Sequence, residues 1–232
     1  MDLGRYLPVV RRSVAQVETY RADWERANAI AGSGEGPLWL VLGDSAAQGV
    51  GASAFDRGYV GVVLQRLRAS TGQPWRVVNL SRSGARTREV VDVQWPAGRP
   101  LGADLVTAVV GGNDALRSRE AQWTVDAVDL CATLPAGSVV ATVARGVLER
   151  KTRRVNDVLR REAAAHGLRV ADLWAHTGPP YQGLYADGFH PNDRGYLQWA
   201  DALWAALKPD EPRPDERRPD ERRPDEPPPP EP

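Results

Sequence analysis

Five short apolar runs separated by stretches of helical periodicity predict an α/β fold, a parallel sheet covered by helices on both faces. The runs show no polar alternation, which suits strands buried on both sides. One run, residues 38–42, breaks off into Gly43-Asp44-Ser45, with further glycines at 49 and 51. In open α/β sheets ligands bind beyond the carboxyl ends of the strands, so Ser45 is delivered to the functional edge as a candidate nucleophile.

Taken in order, residues 9–30 place Val10, Val14, Val17, Trp24 and Ala27 near one stripe at helical spacing, a helix docked on the body. Residues 31–37, Ala-Gly-Ser-Gly-Glu-Gly-Pro, form a joint. The joint precedes a strand instead of following one, and no Gly-Lys-Ser/Thr follows Gly43, so a phosphate loop is discounted. After the first strand, Val60, Val63, Leu64 and Leu67 mark a helix over 59–69, and 75–80 is the second strand. A loop at 81–85 leads to a short helix over 87–94, stopped by Pro96. Residues 104–110 are the third strand, ending in Gly111-Gly112-Asn113-Asp114, and a helix follows near 119–133. Strand four spans 138–143. The helix over 148–166 turns Val155, Val158 and Leu159 inward and carries Lys151, Arg153, Arg154, Arg160 and Arg161 on a solvated face. Strand five spans 168–173, and a closing helix runs over 194–207.

From Pro209 the chain changes character. Pro-Asp-Glu recurs at 209, 214, 219 and 224, and the last 24 residues hold ten of the nineteen prolines and no large apolar side chain. Such a segment buries nothing to offset its ordering entropy, so a disordered tail is expected. The expected organisation is therefore 1–36, helix and joint; 37–208, the body; 209–232, the tail.

Composition narrows the function. The 30 basic and 30 acidic residues balance, but the tail is acidic and leaves the body at about +4, with no basic cluster interleaved with aromatics. That argues against nucleic acid. Cys131 is alone, and no Cys/His cluster has zinc spacing, so neither a disulfide nor a metal or other cofactor is expected. No run is long enough for a membrane span, and Arg11-Arg12 cuts short the apolar start, so a soluble cytoplasmic protein is expected.

A serine nucleophile needs a base, and the base needs a group that sets its tautomer. His166 ends a polar helix, and His176 has no acid close in sequence. His190 sits in Asp187-Gly188-Phe189-His190-Pro191-Asn192, where a turn at Gly188 can bring the Asp187 carboxylate to Nδ1 and leave Nε2 for Ser45. Alone, such an Asp-x-x-His pattern is equally a helix cap. Donors for a developing oxyanion are available at the same sheet edge: the backbone N–H groups of Ser45 and Gly84 and the side-chain amide of Asn113. A neutral His190 acting as base implies that activity falls in acid.

On Gly43-Asp44-Ser45, Ser83-Gly84-Ala85, Gly111-Gly112-Asn113-Asp114 and Asp187 to Asn192, the chain resembles the SGNH hydrolases, also called the GDSL esterase/lipase family, over about residues 37–207. The resemblance implies a flavodoxin-like three-layer α/β/α sandwich with a five-stranded parallel sheet. It implies a carboxylic ester hydrolase with Ser45 as nucleophile, Asp187 and His190 completing a triad, and Ser45, Gly84 and Asn113 forming the oxyanion hole. The implied partner is a small-molecule ester; a partner for the tail is unknown. Ala46 stands where the family name has Leu, a position that carries no chemistry. An α/β-hydrolase elbow fails because Ala47 replaces its second glycine, Ser45 ends the first strand, and acid and base lie only three residues apart. A non-catalytic binding protein retaining the fold, or an acyltransferase using the same triad, are the alternatives. Residues 178–185 either line a pocket or pack over the sheet edge, and the lack of a long lid favours short acyl or acetyl groups.

Overall fold

The computed structural model describes residues 6–146 and 148–208, with side chains from Ser13 onward. The first strand, β1 (Leu38–Gly43), is buried along its whole length. It pairs in parallel with β2 (Arg76–Asn79) on one side and β3 (Leu105–Val109) on the other, with Leu40 opposite Val78 and Val106. Strands β4 (Val139–Ala141) and β5 (Arg169–Ala171) complete an all-parallel sheet of order β2-β1-β3-β4-β5. The order reverses at β1, so the crevice between the ends of β1 and β3 is the switch point where such sheets bind ligands.

Alternate strand residues point to opposite faces. Trp39, Val41, Val77 and Val109 pack with Tyr59, Val63, Tyr196 and Leu203 on one side. These partners come from α2 (Tyr59–Thr71) and α9 (Asp193–Leu207). Leu38, Leu40, Leu42 and Val106 pack with Trp123, Leu130, Val155 and Leu159 on the other. There the partners come from α6 (Glu120–Thr133) and α7 (Glu149–Ala165). The sandwich expected from the sequence is the one observed.

Three expectations are corrected. First, α1 (Tyr6–Gly32) docks by only part of its apolar stripe: Trp24 is buried and Ala27 packs against the core, but Val14 is 64 % exposed, and the polar Ser13 and Tyr20 are buried instead. Polar partners choose that face. Gln16 Nε2 and Tyr20 OH donate to the Ala52 carbonyl, Trp24 Nε1 donates to Gln48 O, and Asn28 exchanges two 2.8 Å bonds with the backbone of Asn79. Second, Pro96 does not stop the helix after β2. Helical turns α3 (Thr87–Glu89) and α4 (Trp95–Gly98) are joined by a π segment, Val90–Gln94, which widens the ladder just before the proline and accommodates its missing N–H. Third, the basic face of α7 is only partly solvated. Lys151 turns back to cap α5 (Gly112–Arg117), donating to the carbonyls of Ala115 and Ser118, and Arg154 pairs with Glu120. The expected tail, 209–232, lies outside the described residues, as does the Val10 side chain. Among the described residues no helix is long and apolar enough to cross a membrane.

Candidate active site

The loop after β1 is shaped by close approach. A Cβ on Gly43 would sit 2.4 Å from the Val109 carbonyl oxygen, so only glycine lets β1 turn beside β3. The Gly43 backbone is also gripped by Gln94, whose Oε1 accepts its N–H at 2.8 Å and whose Nε2 donates to its carbonyl at 2.9 Å. Gln94 is buried in the π segment, so the irregular turn serves to aim this side chain at the residue that introduces Asp44 and Ser45. Further along, Gly51 has φ +97°, and a Cβ there would meet Pro191 O at 2.4 Å and His190 Cβ at 2.9 Å. This contact closes the Ser45 loop onto the His190 loop.

Across that contact Ser45 Oγ lies 2.9 Å from His190 Nε2, and His190 Nδ1 lies 2.7 Å from Asp187 Oδ2. The other carboxylate oxygen, Asp187 Oδ1, accepts the N–H groups of Phe189 and His190 at 3.0 and 2.7 Å. Asn192 caps α9 by accepting the N–H groups of Arg194 and Gly195, which ties the His190 loop to a helix start. Burial works to raise the Asp187 carboxyl, but bonds from His190 and Ser13 and the His190 charge outweigh it and hold the group well below the usual carboxylate range. It is therefore ionised through mild acid, and as an acceptor facing Nδ1 it favours the tautomer of the neutral ring that leaves Nε2 toward Ser45. His176 is elsewhere, with Nδ1 against the Asp172 carbonyl, and His166 caps the end of α7.

Of the three expected oxyanion donors, the N–H groups of Ser45 and Gly84 meet no protein acceptor among the described residues. Gly84 has φ +81°, and a Cβ there would meet Arg117 Nη1 at 4.0 Å. Asn113 is buried beside Asp44. Its Nδ2 donates to Ala85 O at 3.1 Å and reaches Asp44 Oδ2 only at 3.5 Å, so one amide hydrogen is weakly held. That bond to Ala85 ties the Gly84 turn to the end of β3.

Ser45 and His190 open into a cleft of about 430 Å³, lined on the apolar side by Val109, Val143, Leu173, Phe189 and Trp199. Tyr181, Gln182 and Tyr185 form another wall, so the loop left undecided by the sequence lines the pocket. The two tyrosines meet edge-on at 6.1 Å. Asp114, which the sequence offers only as part of the Gly111–Asp114 pattern, accepts both the N–H and the hydroxyl of Thr87 on Oδ2, and two residues escape sequence reasoning, Ser13 and Gln94. Each bonds a group far away in sequence, and no local pattern marks it.

The GDSL-like Lipase/Acylhydrolase family matches residues 41–198, the segment that runs from β1 through the Asp187–His190 loop into α9. The chain belongs to that family. This GDSL-like hydrolase is similar in structure to the lipase Lip_vut3 from a goat rumen metagenome, with 19% identity, a TM-score of 0.64, and coverage of 74% of this chain and 97% of that one. It is also similar to TesA (25% identity, TM-score 0.61, 74% of this chain and 98% of that one). A third neighbour is the acetylxylan esterase Axe2 from Geobacillus stearothermophilus (21% identity, TM-score 0.62, 75% and 94%). These likenesses identify an SGNH hydrolase fold. No curated protein sequence matches this GDSL-like hydrolase significantly.

Burial pushes the Asp44 carboxyl up to about 6, against the Ala46 N–H and the His190 charge, which pull it down. A native value above the unfolded one of about 3.9 means that the folded state binds this proton more tightly. Its contribution to stability is therefore greatest in acid, declines as pH rises from about 4 to 6, and stays low above. Asp44→Asn removes the effect. Relative to wild type the variant should gain on the order of 1–3 kcal/mol between pH 4 and pH 7.5 in urea unfolding. An equal difference at both pH values would contradict the assignment.

Proposed function

We propose that this acylhydrolase is a carboxylic ester hydrolase acting through an acyl-enzyme on Ser45. The observation that carries the reading is the unbroken Ser45 Oγ–His190 Nε2 and His190 Nδ1–Asp187 Oδ2 chain at the mouth of an apolar cleft. Ser45 Oγ attacks the ester carbonyl as Nε2 takes its proton. The oxyanion is met by the N–H groups of Ser45 and Gly84 and by the weakly held Asn113 amide hydrogen. The imidazolium returns its proton to the departing alkoxide, which leaves as the alcohol. Water then repeats the sequence on the acyl-enzyme: His190 takes its proton, the acid departs, and Ser45 regains its hydrogen.

A fluorophosphonate probe tests this directly, with a covalent adduct expected on the peptide carrying Ser45. No adduct would favour a binding protein that retains the fold. Product analysis with added alcohols separates hydrolysis from acyl transfer through the same acyl-enzyme.

The cleft bears on the substrate. Its wall of Val109, Val143, Leu173 and Trp199 supports an apolar acyl chain longer than the short groups favoured from the sequence. In a series of p-nitrophenyl esters, butyrate should exceed acetate in kcat/KM by about ten-fold, since its two further methylenes, if buried, add about 1.6 kcal/mol at most. Acetate as the best substrate would refute that assignment.

A further inference from the structure

Helix α1 lies ahead of the family match, which begins at residue 41, yet it reaches the centre of the site. Ser13 is buried, and its Oγ donates to Asp187 Oδ2 at 2.5 Å, the same oxygen that accepts His190 Nδ1–H. That length is in the range of a hydroxyl bonded to an ionised carboxylate. A serine inside a helix commonly bonds back to its own backbone, as Thr19 does to the Ala15 carbonyl. Ser13 instead spends its donor on a residue 174 positions away.

The rest of the helix fixes where that hydroxyl sits. Residues 13, 16, 20, 24 and 28 fall on one face. Gln16 accepts the Gly51 N–H at 3.0 Å and donates to Ala52 O at 2.9 Å, and Trp24 holds Gln48 O. One rigid element therefore grips the loop that carries Ser45 and, through Ser13, the carboxylate that orients His190. Among the described residues the donors on Asp187 are two backbone N–H groups, the ring N–H and the Ser13 hydroxyl. Of these, Ser13 alone comes from outside the Asp187–His190 loop.

We infer that Ser13 is a positioning residue for the hydrolytic site, holding the Asp187 carboxylate in the orientation that His190 requires and drawing charge from Oδ2. The inference rests on Ser45, His190 and Asp187 performing the chemistry. Without the Ser13 hydroxyl, Oδ2 carries more negative charge toward the ring and stabilises the imidazolium more strongly. The carboxylate also gains rotational freedom, so the base is less well aimed. Other ionisable groups facing this pair are Asp44 from the β1 turn, which acts on His190, and Tyr196 of α9, which is neutral and acts on Asp187; Tyr59 of α2 faces Asp44. Neither tyrosine titrates in mild acid, and Asp44 is common to all variants.

The test uses full-length protein and a graded series, Ser13→Thr, Ser13→Cys and Ser13→Ala, in which the donor is kept, weakened and removed. Ser13→Ala should lower kcat on a p-nitrophenyl ester about three- to ten-fold with KM within about two-fold. It should also move the acid limb of the kcat/KM profile upward by about half a pH unit. Ser13→Cys should fall between, and Ser13→Thr should recover most of both. The His190 Nδ1–H proton resonance should shift in the same order. Asn28→Ala, which loosens the same helix at the β2 edge, should lower the melting temperature without moving the limb. The inference is overturned if the limb and the resonance stay in place across the series, or if activity follows only the folded fraction. Should Ser13→Ala not fold, the Cys and Thr variants carry the same readouts. The resonance is read on resting protein, Ser45→Ala included. An active Ser45→Ala protein thus sinks the hydrolase reading, whereas an unmoved resonance sinks only the role of Ser13.

Discussion

Ser45→Ala is expected to reduce kcat/KM on p-nitrophenyl esters by about 10⁴- to 10⁶-fold while leaving the fold intact. The methyl group fits where the hydroxymethyl was, and among the described residues Ser45 Oγ has one side-chain partner, His190 Nε2, which then faces the cleft. No packing is lost, because the neighbouring Ala46 and Ala47 and the Gly43 turn hold the loop by backbone contacts. Removal of the proposed nucleophile would leave only the proposed oxyanion donors and substrate binding, which sustain a small residual rate over water. Steady-state kinetics with a fluorophosphonate blank measure it. Retention of wild-type turnover by the purified variant would end the proposed mechanism.

Asp187→Asn should cost about 10³- to 10⁴-fold in kcat. The asparagine carbonyl can still accept the N–H groups of Phe189 and His190 as Asp187 Oδ1 does, which turns its amide nitrogen toward Nδ1 in place of Oδ2. A donor facing Nδ1 makes that nitrogen the acceptor, places the ring proton on Nε2, and leaves nothing to take the Ser45 proton. The same substitution has a stability signature. The native carboxyl lies below its unfolded value, so the ionised group stabilises the fold, in full above about pH 3.9 and progressively less as pH falls through the native value. The gap between wild type and Asp187→Asn in urea unfolding should thus be wide at pH 7 and close toward strong acid. An unchanged kcat, or a stability gap that widens in acid, would contradict the role given to the carboxylate.

The fold class was legible because it depends on local periodicity. Two-sided apolar runs such as 38–42 and 104–110 have few alternatives to buried parallel strands, and the helices between them repeat at 3.6 residues. The positions of Ser45, Asp187 and His190 were legible for a related reason. Glycine-marked turns at strand ends and an Asp three residues before a His are short-range patterns, and a parallel sheet gathers its strand ends at one edge; the strand order and the close approach of Gly51 to Pro191 and His190 are seen only in the structure.

What the residue pattern could not supply were contacts between polar groups distant in the chain. Apolar spacing put Val14 on the docked face of α1, whereas Ser13, Gln16 and Tyr20 occupy it because their partners, Asp187, Gly51 and Ala52, are assembled only in the folded state. Pro96 reads as a stop until a π turn absorbs it, and nothing in the sequence around Gln94 marks it as the partner of the Gly43 backbone. Hydrophobic burial is encoded residue by residue, since any apolar partner will serve. A buried hydrogen bond needs one particular partner at one geometry, and that pairing exists only once the tertiary structure has formed.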